Sequence, residues 1–160
     1  MVIAVLVLII LLAGFALGGQ LGAPWVPAFR RDVEKILDDC HLKAGQLYIE
    51  LGCGDGRVSA AAAKRGARAI GYEVNPLMWF IACLRCLRYP NAKIKLANFW
   101  GKPLNSADIV FTFLMPKFMP KLENKLSSEL KPGASFVSYI YKLPNKKAAY
   151  KRPRWSIYEY

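Results

Sequence analysis

At 160 residues the chain has room for one domain, a small one once its apolar N-terminus is set aside. A 54% hydrophobic composition beside a formal net charge of +12 points to an anionic partner (nucleic acid, an acidic membrane surface or an acidic protein) without choosing among them. The four cysteines do not make a disulfide framework at this length, and Cys53 lies inside a glycine-rich loop, so free thiols in a reducing compartment are expected.

Residues 1–21 are apolar, with Gln20 the only polar side chain. A helix rises about 1.5 Å per residue, so roughly 20 such residues cross a bilayer core, and a single transmembrane anchor is expected. A cleaved signal peptide is the rival reading, but no basic segment precedes the run. The first basic residues, Arg30, Arg31 and Lys35, follow it, which by the positive-inside rule puts the body of the protein in the cytoplasm, with the N-terminus outside. Residues 22–27 read as a linker, because Pro24 and Pro27 stop any continuing helix. Trp25 sits either at headgroup depth or over the edge of the domain, which is expected over residues 28–160.

Residues 28–40 have the period of an amphipathic helix, with Phe29, Val33, Ile36 and Leu37 on one face. Arg30, Arg31, Asp32, Glu34, Lys35, Asp38 and Asp39 are assigned to the other face. A buried strand through Tyr48 and Ile49 runs into a glycine-rich turn, and an alanine-rich helix over 58–65 ends at Gly66. A second strand over 68–72 delivers Glu73 at its carboxyl end. Asn75-Pro76 then supplies an N-cap and a first helical residue. The helix over 76–88 is apolar nearly all round, which predicts deep burial; a second contact surface such as a membrane is the alternative. Strands follow over 93–97 and 107–114, joined by a segment too short for a full helix. A helix over 118–130, a strand over 135–141 and a hairpin pairing 148–151 with 155–160 complete the chain. Alternating strands and helices predict an α/β, Rossmann-like, doubly wound and mainly parallel sheet, with ligands at the carboxyl ends of its strands.

Three features fall at those ends: Glu50-Leu51-Gly52-Cys53-Gly54-Asp55-Gly56, then Glu73, then Asn98-Phe99. The glycines let a ligand lie directly against backbone. The dinucleotide pattern Gly-x-Gly-x-x-Gly fails in both frames, where the third glycine falls on Arg57 or Ser59, and no P-loop Gly-Lys-Ser/Thr follows.

With this loop, the spaced acid and the strand-end asparagine, the chain resembles class I S-adenosylmethionine (SAM)-dependent methyltransferases from about residue 28 to 160. Pro24 to Pro27, Gly71 to Pro76, Pro116 to Pro120, Pro132-Gly133-Ala134, Val137-Ser138 and the hydrophobic N-terminus sharpen the resemblance. They are similar to the small membrane-anchored protein-lysine methyltransferases that modify the ATP synthase c-ring and the adenine nucleotide carrier, and to their prokaryotic relatives. The resemblance implies SAM as cofactor. It implies a cofactor site of Glu50, Gly52, Cys53, Gly54, Gly56, Glu73, Val74, Asn75, Asn98 and Phe99. Glu73 is expected to take both ribose hydroxyls, Asn98 the adenine edge with Phe99 packed near the ring, and Val74 and Asn75 to flank the adenosine. Glu50 is expected at the methionine end, through its amino group or a bridging water. Two departures from the usual plan, a third crossover reduced to a loop and no helix between Tyr141 and the tail, leave the far edge of the sheet and any substrate lid open.

Adenine N6 methyltransferases place Asn/Asp-Pro-Pro-aromatic after the fourth strand. Here the position reads Phe113-Leu114-Met115-Pro116, with no polar side chain to hold such a nitrogen. A lysine amine needs only deprotonation, which a desolvated aromatic pocket favours. Phe113, Met115 and Pro116, with Trp25 or Tyr141, are the expected substrate pocket, and ordinary core packing is the equal alternative. Cys83-x-x-Cys86 lies in a helix and lacks nearby further ligands, so packing rather than a metal site is expected. The basic run over 142–154 reads as a solvated face that also suits an anionic leaflet. The expected acceptor is a lysine of a protein, a membrane protein being one candidate. An RNA or small-molecule methyltransferase on the same fold and a non-catalytic SAM-binding module are the alternatives.

Overall fold

The computed structural model describes residues 26–160, so the expected anchor and Trp25 lie outside the described residues. Among the described residues no helix is long and apolar enough to cross a membrane.

The strands β1 (Leu47–Leu51), β2 (Arg68–Glu73), β3 (Ala92–Leu96), β4 (Ile109–Thr112) and β5 (Ser135–Tyr139) run parallel. β6 (Tyr150–Lys151) and β7 (Trp155–Glu159) close the far edge as an antiparallel hairpin, giving the order β3-β2-β1-β4-β5-β7-β6. The undetermined edge is therefore filled by β7, whose Tyr158 pairs with Phe136 of β5. β1 and β4 are buried along their whole length, as their continuous apolar runs require in a sheet covered on both faces.

Helices α1 (Arg30–Asp39) and α2 (Arg57–Lys64) cover one face, where Val33, Ile36, Leu37, Val58 and Ala62 join Tyr48, Phe111 and Val137 in one core. Helix α3 (Pro76–Cys86) begins as the sequence predicts, with Asn75 Oδ1 accepting from the N–H groups of Leu77 and Met78 at 2.9 and 3.2 Å. Its burial differs from the expectation. Met78, Ala82 and Cys86 are buried, whereas Leu77, Phe80 and Leu84 are exposed, together with Leu87 just beyond the helix. β3 is an edge strand, so the sheet offers α3 one side to pack against and nothing covers the other among the described residues.

On the opposite face of the sheet α4 (Met119–Glu129) packs Leu122 and Leu126 with Ile49, Val110 and Phe136. A 3-10 turn over Pro116–Phe118 leads into α4, and another over Phe99–Gly101 stands where the third crossover helix is missing. The expected strand over 135–141 stops at Tyr139, because Ile140 takes a φ of 71°, a conformation that leaves the ladder.

Periodicity assigns Asp32 to the polar face of α1, yet it is 2% exposed. It accepts from Tyr139 Oη at 2.6 Å and from Arg154 Nε and Nη2 at 2.6 and 2.7 Å, tying α1 to β5 and to the tail. A buried carboxylate with this many charge-assisted donors is satisfied where a lone one would not be.

Candidate active site

The sheet order reverses between β1 and β4, and in open α/β sheets the crevice outside the carboxyl ends at that point is where ligands bind. The glycine loop after β1 lies there. Gly52 and Cys53 both donate their N–H to Tyr72 O, at 3.0 and 2.9 Å, which ties the loop to β2. Gly52 has a φ of 76°, and a Cβ built on it meets nothing within 4 Å. Its face is thus open space beside bare backbone. Gly56 also has positive φ, but for a different purpose: a Cβ there comes within 2.8 Å of the Ala82 Cβ, so this glycine lets α2 and α3 touch.

Glu73, 8% exposed, accepts from the N–H groups of Gly54, Val74 and Asn75, each at 2.8 Å. A carboxylate has about four lone-pair sites, so three are occupied. In this arrangement Glu73 fixes the glycine loop and has room for about one further donor, beside the two ribose hydroxyls expected of it.

Glu50 is likewise turned inward. It is 3% exposed, and its Oε2 accepts from Ser59 N at 2.8 Å and Ser59 Oγ at 2.5 Å, supporting the first turn of α2 from below. Burial pushes its pKa up to about 8, against the pull of the two Ser59 hydrogen bonds. Glu50, expected at a ligand's methionine end through its amino group or a bridging water, is thus a buried carboxyl beneath the loop. Cys53 is 4% exposed and burial pushes its thiol well above the usual range, so it packs rather than reacts.

Asp55, to which its place in the glycine loop assigned no role, is 5% exposed and bridges two helices. It accepts from Arg57 Nη2 at 2.7 Å and Arg85 Nη2 at 2.9 Å, and Arg57 reaches on to Ala28 O at 3.0 Å. Burial works against this carboxylate, but the Arg57 hydrogen bond and the two guanidinium charges hold it below the usual range. The loop is therefore held at its middle by Glu73 and at its α2 end through Asp55.

Asn98 and Phe99 follow β3 at the same edge of the sheet, where Ala97 N donates to Glu73 O at 2.8 Å. Asn98 is exposed, with its Oδ1 accepting from Trp100 N at 3.0 Å, which leaves its amide donors to face outward. Phe99, expected to pack near the adenine ring, is a core side chain, 5% exposed, with its ring 4.8 Å from that of Trp100.

At the end of β4, Phe113 is half-buried, its ring edge-on to Tyr139 at 5.0 Å and 6.3 Å from Tyr141. The positive φ of Ile140 turns the chain here, and Ser138 Oγ donates to Tyr141 O at 2.5 Å to hold the turn. No sequence signal marks this, since a β-branched residue is among the least suited to that conformation. Met115 is half-buried and Pro116 exposed, at the start of the 3-10 turn. The structure thus groups Phe113 with Tyr139 and Tyr141, one partner beyond the expected set.

A protein-family model of the ANTKMT methyltransferase domain matches residues 50–150. The chain is 36% identical over 129 residues to the adenine nucleotide translocase lysine N-methyltransferase of Mus musculus, covering 78% of this chain and 56% of the relative. It is 30% identical over 125 residues to a protein-lysine N-methyltransferase of Saccharolobus islandicus, covering 75% of this chain and 78% of the relative. The chain thus spans little more than half the length of the mouse protein. Among solved structures, an RNA methyltransferase from Salinibacter ruber in complex with S-adenosyl-L-homocysteine superposes with a TM-score of 0.80 at 21% identity, covering 84% of this chain and 93% of that one. At that identity the likeness establishes the class I methyltransferase fold.

Proposed function

The chain belongs to the ANTKMT methyltransferase family, and on that premise we propose that it is a SAM-dependent methyltransferase acting on a lysine side chain of a protein. The observation that carries the reading is the bare backbone at Gly52 beside a loop fixed by Glu73, at the carboxyl edge where the sheet order reverses. A cofactor with a polar amino-acid end and an adenosine end suits these residues. Open space faces Gly52, Glu73 has one acceptor site left, and Asn98 presents amide donors toward a purine edge. Bound there, SAM supplies an electrophilic methyl group on a sulfonium.

The chain's own part is positioning and desolvation. Glu73 and Asp55 hold the loop rigid, so the backbone needs little reorganisation when a ligand arrives. Glu50, beneath the loop, places an ionisable carboxyl where a cationic ligand favours its charged form. Phe113 and Tyr141, with rings 6.3 Å apart, begin an apolar wall at the end of β4 and β5 that Met115 and Pro116, next along the chain, would extend. Such a wall strips water from an amine and lowers its pKa, which makes the neutral nucleophile available. The relatives named as lysine methyltransferases, and the lack of a polar side chain across residues 113–116, support lysine over a nucleobase nitrogen. The apolar run over residues 1–21 supports a membrane-anchored enzyme whose catalytic domain faces the cytoplasm.

Two experiments test this. Calorimetry with SAM should show binding that Glu73→Ala weakens by roughly tenfold or more; no binding, or unchanged binding in the variant, sinks the cofactor assignment. Labelled-methyl transfer into membrane fractions, followed by protease or ribonuclease, should yield label lost only to protease. Loss under ribonuclease eliminates the lysine reading.

A further inference from the structure

We propose that the outer face of α3 is a lipid-contacting surface that docks the domain on an anionic membrane leaflet. Leu77, Phe80 and Leu84 stand at helical spacing on one side of α3, and Leu87 continues the stripe. They are 36%, 54%, 52% and 77% exposed, on a helix whose opposite side, Met78, Ala82 and Cys86, is buried. By strand alternation Leu96, 49% exposed, lies on the same face of β3 as Ile94, whose carbonyl accepts from Trp79 of α3, and so extends the apolar edge. Scattered exposed leucines need no explanation, but a continuous stripe along one helix does.

Beside the stripe runs a groove of about 640 Å³ between α1, α2 and α3, and Leu84 is part of its wall. Six of its lining residues are basic: Arg30, Arg31, Arg57, Lys64, Arg85 and Arg88; Glu34 is the acidic one. Arg57 and Arg85 are engaged by Asp55, and Glu34 by Arg65. Arg30, Arg31, Lys64 and Arg88 are exposed, and none of them takes part in an ion pair among the described residues. An apolar stripe bordered by unpaired cations is the arrangement by which interfacial helices bind acidic lipid: the apolar side chains enter the acyl boundary and the cations meet the headgroups.

Charge selects lipid over the other occupants. Two copies of this chain, each at +12, would meet rim to rim with like charges. Residues 1–29 contain no Asp or Glu, so the apolar run offers Arg30, Arg31, Lys64 and Arg88 no counter-charge. RNA would satisfy the cations but gains little from aliphatic side chains, where single strands need stacking platforms. The N-cap of α3, Asn75, is also two residues beyond Glu73, so a leaflet against its stripe lies beside the candidate active site. The inference goes beyond the methyltransferase reading and does not depend on it.

The test uses the full chain in a Cys83→Ser background, with an environment-sensitive fluorophore on Leu84→Cys or, as control, on exposed Asn124→Cys of α4. In phosphatidylglycerol-containing vesicles, nitroxide-labelled lipid should quench position 84 far more than position 124. Pure phosphatidylcholine, or Lys64→Glu with Arg88→Glu, should reduce position 84 to the control level. Equal quenching at both positions in the acidic vesicles overturns the proposal. So does an apolar emission at position 84 before lipid is added, which would mean that the N-terminal run or a second copy covers the stripe. A response to RNA without a response to vesicles overturns it as well. SAM calorimetry on the same variants reports separately on the methyltransferase reading.

Discussion

Glu73 accepts the backbone N–H of Gly54 at 2.8 Å, joining the end of β2 to the middle of a loop that follows β1. With Val74 and Asn75 as its other donors, the carboxylate acts as the pin on which the glycine loop turns. Glu73→Gln should therefore be nearly as damaging as Glu73→Ala. A carboxamide turns one acceptor oxygen into a donor that faces a backbone N–H, and a buried donor left unsatisfied costs about 1–3 kcal/mol. The expected outcome is a loss of SAM affinity of roughly tenfold or more in both variants, read by calorimetry. A Gln variant that binds like the parent would show that the pin is not needed.

Gly52 and Gly56 should separate binding from folding. Gly56→Ala adds a methyl 2.8 Å from Ala82 Cβ on top of an unfavourable φ, so a drop in melting temperature corresponding to about 1–3 kcal/mol is expected. Gly52→Ala meets no neighbour and should cost only the backbone strain of about 1–2 kcal/mol, while its methyl fills the face offered to a ligand. Thermal unfolding with and without SAM distinguishes them: the parent and Gly56→Ala gain stability on adding SAM, whereas Gly52→Ala gains little.

Glu50 sets a pH dependence. Its folded pKa of about 8 lies above the ordinary 4.5, so between these values the folded protein holds a proton that the unfolded chain has lost. The contribution is fully present below 4.5, declines as pH rises, and is gone above about 8. Glu50→Gln, permanently neutral, should show a melting temperature that gains on the parent as pH climbs through that window. A difference that stays flat across the series would place the Glu50 pKa near its ordinary value.

Tyr139→Phe removes the 2.6 Å hydrogen bond to Asp32 and should cost about 1–3 kcal/mol, as expected for a buried bond to a charged acceptor. The two Arg154 hydrogen bonds hold the Asp32 carboxyl below its usual range. Its stabilising contribution is therefore present above the ordinary value of 3.8 and lost as pH falls through the lower folded value. Asp32→Asn should flatten the acid limb of the unfolding curve; an unchanged limb argues against the pairing.

Much of this architecture was legible in the chain itself, for local reasons. Positive-φ glycines, the Asn75-Pro76 helix start and the apolar runs of β1 and β4 are constraints that a few neighbouring residues impose on their own backbone. They determined the strand and helix order, the open-sheet class and the edge at which the candidate site lies. What only the tertiary structure decided was which side chains meet across distance. Periodicity placed Asp32 on a polar face, and Tyr139 and Arg154, more than a hundred residues away, supplied the donors that let it be buried. Composition predicted burial for α3, and the position of β3 at the sheet edge left one side of that helix uncovered. Glu50 and Glu73 stood out in the chain as candidate site residues, but the fold engages Glu50 with Ser59, and Glu73 with Gly54, Val74 and Asn75. A residue's type states what it can bond, and the fold determines which partner reaches it first.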